Sequence, residues 1–218
     1  MIPYRTVVGT AAAEQVIKKS RFIGSLYPIE SAEQAQEILA GIRKQYWDAS
    51  HHCYAYVLGP KRDVKKFSDD GEPQGTAGMP ILDVLDKKEL TNEMVVVVRY
   101  FGGTLLGAGG LVRAYGGTCA ETVRAADIRV MTPVNTVELL CEYGMWNRLD
   151  RALNQCNVMR ENVQFGADVT CILSVKPEDT EALIDFVTDT CQGQVLASVT
   201  GEKITHWPAA DETAADQI

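Results

Sequence analysis

No stretch of this 218-residue chain approaches the roughly 20 consecutive apolar residues that a bilayer crossing needs. No membrane partner is therefore expected. The start, MIPYRTVVGTAAAEQVIKKSRF, does not follow the basic-then-apolar order of a secretory leader, because its basic cluster comes late. The six cysteines, at 53, 119, 141, 156, 171 and 191, form no CxxC pair. Each sits in an apolar or helical context such as TVELLCEY, which predicts reduced, buried thiols rather than a disulfide framework. These absences together predict a cytoplasmic protein. With only three histidines, no Ser/His/Asp or Cys/His set stands out as a nucleophilic apparatus. No Gly-Lys-Ser/Thr closes a phosphate loop, and no low-complexity tract or internal repeat is visible.

What remains is ordinary globular material, 46% hydrophobic and 23% charged, enough for one large domain or two of common size. The net charge of −8 is unevenly spread. Residues 1–135 carry 16 Lys/Arg against 15 Asp/Glu, whereas residues 136–218 carry 5 against 14. The acidic half is a poor candidate for gripping phosphates, while a local basic patch on the first half is permitted.

Periodicity divides the chain in a similar way. In the first half, residues 21–28 read as a strand and 31–46 as a helix, with Ser31 as N-cap and Gln34 completing a capping box. A second strand is expected over 52–58, a short helix near 80–88, and a strand buried on both faces at MVVVVRYF, 94–101. Residues 111–127 read as a helix, although Gly116 and Gly117 inside it cost about 1 kcal/mol each relative to Ala. That cost implies either another backbone packed close or a break. Residues 132–135 (TPVN) are the best linker candidate, and 208–218 read as a frayed tail. The intervening segment, 136–207, reads strand, helix, strand, strand, helix, strand, the ferredoxin-like split βαβ order. Pro177 and Gly193 bracket its second helix.

Two constellations carry chemistry. In SDDGEPQGTAG (68–78), the carboxylates of Asp69, Asp70 and Glu72, with Gly75 and Thr76, suit a tight structural loop or the rim of a ligand site. A hard cation is a weaker alternative, since the spacing misses the EF-hand pattern, and no metal site is assigned. His51 and His52 open a strand with side chains on opposite faces. His52 can approach this loop as a general base, though a histidine hydrogen-bonded at a sheet end is the commoner outcome. The basic run Lys61, Arg62, Lys65 and Lys66 beside Phe67 reads as a solvated loop or a minor nucleic-acid contact.

The second constellation is RYFGGTLLGAGGLVR (99–113), a Gly-rich turn between the buried strand and a helix. Free amides at Gly102, Gly103, Gly107, Gly109 and Gly110 and the helix dipole suit an anion, with Arg113 in the first turn adding charge. A purely structural close approach remains open. The dinucleotide fingerprint fails, because Val112 stands where the third glycine belongs, and no cofactor is implied. Arg113 and Arg124, eleven residues apart, share a helix face and with Arg99 form either a basic stripe or a solvated one.

The segments KKSRFIG (18–24), SHHCYAYV (50–57), FSDDGEPQGTAGMPIL (67–82) and VRYFGGTLLGAGGLVRAY (98–115) closely resemble the IMPACT family in its bacterial two-domain form. The resemblance covers essentially the whole chain. It implies an α+β fold of two domains, 1–133 and 136–207. The first is like the second domain of ribosomal protein S5, and the second is ferredoxin-like and similar to the last domain of elongation factor G. Eukaryotic members regulate translation through a partner-binding domain outside these matched segments, so that specific role does not carry over. The expectation that follows is a regulator or accessory factor of translation that is not an enzyme. It would bind RNA or a ribosomal site through the first domain, with a possible protein partner at the acidic second. The rival readings are an enzyme built on His52 with Asp69, Asp70 and Glu72, or a protein-interaction module.

Overall fold

The computed structural model describes residues 1–207, so the expected frayed tail lies outside the described residues. The chain divides into two compact units, Ile2–Val130 and one running from Met131 onward.

The first unit contains β1 (Tyr4–Val8), β2 (Ala11–Ile17), β3 (Ser20–Pro28), α1 (Ala32–Gln45), β4 (His51–Leu58), β5 (Val64–Ser68), α2 (Gly78–Lys87), β6 (Glu93–Tyr100) and α3 (Ala108–Arg124). Its main sheet has the order β2-β3-β6-β4-β5, with every neighbour pair antiparallel. β6 is central, which explains its four consecutive valines. Alternation sends Val95 and Val97 into the layer beneath α2 and α3, and Val96 and Val98 into the layer beneath α1. Both faces are covered, so both parities must be apolar.

α1 begins as expected, with the Ser31 hydroxyl accepting from Gln34 N at 3.2 Å. Gln34 reaches back one residue further than a capping box requires, accepting from Glu30 N at 2.8 Å. α3 is continuous through Gly116 and Gly117. A Cβ at either would sit 3.8 Å from its nearest neighbour, an ordinary contact. The close approach lies on the strand instead: a Cβ on Gly24 of β3 would fall 2.1 Å from Thr122 Oγ1 of α3.

Three elements escaped the sequence reading. β1 and β2 precede the first expected strand, and the basic run 61–67 is largely β5, an edge strand whose lysines discourage further pairing. The expected linker at 132–135 is also corrected. It lies inside β7 (Asp127–Cys141), where Thr132 and Pro133 pair with Thr205 and Ile204. Pro133 is tolerated because pairing with the strand on the other side, β9 (Val169–Val175), begins only at Asn135.

The second unit adds α4 (Tyr143–Leu153), β8 (Val158–Phe165), α5 (Thr180–Thr190) and β10 (Leu196–His206). Its antiparallel order β10-β7-β9-β8 is that of the ferredoxin-like fold. Alternate residues Val137, Leu139 and Cys141 of β7 and Cys171 and Leu173 of β9 meet Leu149 and Leu153 of α4 and Leu183 and Val187 of α5. Pro177 opens a short 3-10 turn ahead of α5. Two left-handed residues follow that helix, Gln192 at φ +53° and the expected Gly193 at φ +74°. All six cysteines are free thiols. Among the described residues, no helix is long and apolar enough to cross a membrane.

Candidate functional site

At the end of β6, the Arg99 side chain turns inward rather than toward solvent. Its guanidinium donates to Glu72 Oε1 at 2.6 Å, lies near Ser20 Oγ at 3.4 Å, and is flanked by the rings of Phe22 and Phe101 at 5.4 and 5.5 Å. The side chains of Arg99 and Glu72 are 6% and 4% exposed. Tyr115 Oη donates to the same Glu72 oxygen at 2.7 Å. The pair is an interior ion pair, so Arg99 is withdrawn from the ligand set and Glu72 from the rim. A carboxylate this deep persists because its counter-ion and a phenol satisfy it.

The rest of the 68–78 loop is committed in the same manner. Asp69 accepts from Gly75 N (2.8 Å), Ala77 N (3.0 Å) and Gly78 N (2.8 Å), which caps α2, a helix whose own N-cap is the mute Ala77. Asp70, with φ +42°, accepts from Arg43 Nη2 and from His52 N, both at 2.7 Å. Thr76 Oγ1 donates to Pro73 O at 2.6 Å. Gly75 supplies the left-handed residue (φ +75°) that the turn needs. The buried His52 donates through Nε2 to Tyr46 O at 2.9 Å, and its Nδ1 lies 3.6 Å from Asp70 Oδ2. His51, paired through Nδ1 with Asp70 O at 2.9 Å, places Nε2 3.8 Å from Glu72. Cys53 donates to Asp69 O, and burial pushes its thiol up to about 12, far from a reactive thiolate. Among the described residues, no group of three or more His, Cys, Asp or Glu is placed to hold a metal. The loop is a structural knot.

The Gly-rich turn separates into two parts. Phe101 N and Gly102 N donate to Ser50 Oγ and Ser20 Oγ at 3.2 and 3.1 Å. A Cβ on Gly102 would lie 2.0 Å from the Lys19 carbonyl carbon, so glycine here admits the β2–β3 turn. Gly102 is therefore structural. Beyond it the turn opens. Gly103 (φ +79°) and Gly107 (φ +74°) have free space where a side chain would stand. Gly103, Leu105, Gly107 and Gly109 are exposed, Leu105 at 83%.

α3 starts at Ala108 with Gly107 as N-cap and no side-chain cap, and its first helical bond runs from Leu111 N to Gly107 O at 2.9 Å. The amides of Ala108, Gly109 and Gly110 are the helix's unsatisfied donors. Arg113 is exposed, makes no ion pair among the described residues, and sits one turn on, where a Cβ at Gly109 would meet its Nη1 at 3.7 Å. Free amides, the positive end of a dipole and an unpaired guanidinium thus converge on open solvent, an arrangement suited to an oxyanion.

Arg124 does not join them. It pairs with Glu121 at 2.5 Å, eleven residues and about 16 Å along the helix. The three-arginine stripe does not form. Of the basic run near β5, Arg62 and Lys65 both pair with Asp86. Sequence reasoning missed Ser20, Arg43 and Tyr115 as organisers. Each acts on a partner at least 27 positions away, so no local pattern announced them.

The fold and site define a two-unit α+β protein with an exposed Gly-rich turn and no assembled catalytic centre among the described residues. Residues 18–123 match the Impact N-terminal domain and residues 139–194 match a domain of unknown function (DUF1949). The chain belongs to the IMPACT family. It is 36% identical to IMPACT family member YvyE of Bacillus subtilis over 191 residues, 88% of each chain. It is 43% identical to IMPACT family member YigZ of Escherichia coli over 155 residues, 70% of this chain and 76% of that one. A crystal structure titled as that of a hypothetical protein superposes with a TM-score of 0.59 at 33% identity, covering 92% of this chain and 98% of the other.

Proposed function

We propose that this chain is a non-enzymatic accessory factor or regulator of translation, working in the cytoplasm, that holds RNA or an RNA-lined ribosomal site at residues 103–113. The observation that carries the reading is the open, uncapped start of α3 beside the unpaired Arg113. Phosphate oxygens fit such a place, because backbone amides approach them without a side chain in the way and the guanidinium binds two at once. The translational setting rests on the family resemblance. Asp69, Asp70 and Glu72 do not favour the enzymatic reading, since each accepts from protein donors.

Binding of single-stranded RNA to the purified chain should weaken steeply with salt. Arg113→Ala should weaken it further and reduce the slope of log K against log salt by about 0.7, the share of one phosphate. Affinity indifferent to salt, or an Arg113→Ala variant with the parental slope, removes the reading.

A further inference from the structure

Helix α4 turns Leu149 and Leu153 into the second unit's core, but the face beyond the buried Ala152 is of another kind. There Asn147, Arg148, Arg151 and Gln155, with Thr190 from the end of α5, line an open hollow of about 470 Å³ that no carboxylate borders. Residues 131–207 carry five Lys/Arg against eleven Asp/Glu, so a hollow of this sign runs against the local charge. The other three basic residues are occupied: Arg160 by Asp150, Lys203 by Glu161, and Lys176 by the Trp207 ring at 5.4 Å. Arg148 and Arg151 are exposed and make no ion pair among the described residues. Asp150, between them in sequence, points to Arg160 instead.

Two guanidiniums three residues apart on one helix repel each other unless an anion sits between them. Asn147 and Arg151 are one helical turn apart and Gln155 stands just past the Asn154 C-cap, so their donors form a strip rather than a point. A strip of donors matches a chain of phosphates better than a single small anion.

We propose that this face of α4 is a second phosphate-binding groove, holding a stretch of RNA backbone. It shares its ligand class with the reading of the α3 turn and rests on different residues. Arg148 and Arg151 each grip non-bridging oxygens, while the amides of Asn147 and Gln155 and the Thr190 hydroxyl bond to neighbouring phosphate and ribose oxygens. A competing role exists for Arg148. It lies close enough to Cys191, at the C-cap of α5, to oppose the rise that burial gives that thiol, and so can complement the negative end of that helix. Arg151 has no such alternative.

The test is a salt titration of the full chain with a single-stranded RNA oligonucleotide, comparing Arg148→Gln/Arg151→Gln with Arg113→Ala. Melting temperatures check folding, and the double lysine variant serves as rescue. The groove predicts a slope reduced by about 1.4 in the glutamine pair, restored with lysines, and additive with Arg113→Ala. The same loss with Arg113→Ala silent keeps the groove and removes the α3 site. An unchanged slope in the glutamine pair, with or without a fall in melting temperature, overturns the groove and leaves the α3 reading intact. Tripolyphosphate at equal phosphate concentration is the second arm, read by the side-chain amide resonances of Asn147 and Gln155. RNA should move these signals and tripolyphosphate should move them far less. Equal movement overturns the RNA assignment, and no RNA binding by the parent chain overturns both sites.

Discussion

Glu72, Asp69 and Asp70 stand within four positions of one another, yet the fold sends them to three destinations. Glu72 goes inward to Arg99 and Tyr115, Asp69 to the first amides of α2, and Asp70 to Arg43 on α1 and the amide of His52. Nothing local distinguishes the three, because each destination is set by an element far away in sequence. Arg99 and Arg113 show the same limit from the cationic side. Both flank the same glycines, but only the first lies under the Phe22 and Phe101 rings. Breaking a buried pair by removing one charge leaves the other uncompensated. Glu72→Gln should therefore cost about 3 kcal/mol or more in urea unfolding. Arg113→Ala, exposed and unpaired, should stay within about 0.5 kcal/mol. A Glu72→Gln variant as stable as the parent means that Arg99 does not need its counter-ion, and the interior assignment of the loop is then wrong.

Elements with a strong period of their own were legible. β6 announced itself through four valines, α1 through Ser31, and the order of the second unit through its alternation of strand and helix. β1, β2 and β5 were not. β2 and β5 are edge strands of short, polar or alanine-rich sequence, stabilised by pairing with a neighbour more than by their own side chains. The turn at 102–110 was legible as a glycine pattern, whereas the divided use of those glycines was not, since Gly102 answers to Lys19 on the β2–β3 turn.

The end of α5 makes the point quantitative. Gly193 was read as the terminator and is left-handed at φ +74°, but Gln192, the position directly after the cap, is left-handed as well at φ +53°. Gln192 N and Gly193 N bond back to Asp189 O and Thr188 O at 3.3 and 2.9 Å, the paired bonds of a Schellman ending. A non-glycine residue in that conformation carries about 1 kcal/mol of strain. Gln192→Gly should stabilise the chain by roughly 0.5–1 kcal/mol after its own entropic cost. A loss of stability in chemical denaturation indicates that the Gln192 side chain makes a contribution the backbone does not reveal.

For the molecule as a whole, the pH dependence of stability between about pH 4.5 and 8 has an interior source in Glu93. Glu93 opens the central strand with no exposed surface. Its Oε1 accepts from Thr6 Oγ1 at 2.8 Å and from Val7 N, tying β1 to β6, while Oε2 has no partner among the described residues. Burial pushes its carboxyl from the usual 4.5 up to about 8, and the two hydrogen bonds only partly oppose this. Below about pH 4.5 the group is protonated whether the chain is folded or not, and its burial is then least costly. Between 4.5 and about 8 unfolding releases a proton, so stability declines as pH rises through that window. Above it the loss is complete, on the order of a few kcal/mol. The net charge of −8 adds a repulsion that also grows with pH, so the parent's profile alone cannot isolate Glu93. Glu93→Gln does, because it keeps the acceptor for Thr6 and Val7 and removes the titration. Urea midpoints at pH 5 and pH 9 should show the two proteins nearly equal at the lower value and the variant clearly more stable at the higher. Parallel profiles mean that water reaches Oε2, and the strand that delivers Arg99 to its ion pair with Glu72 then begins in a wetter interior than its packing implies.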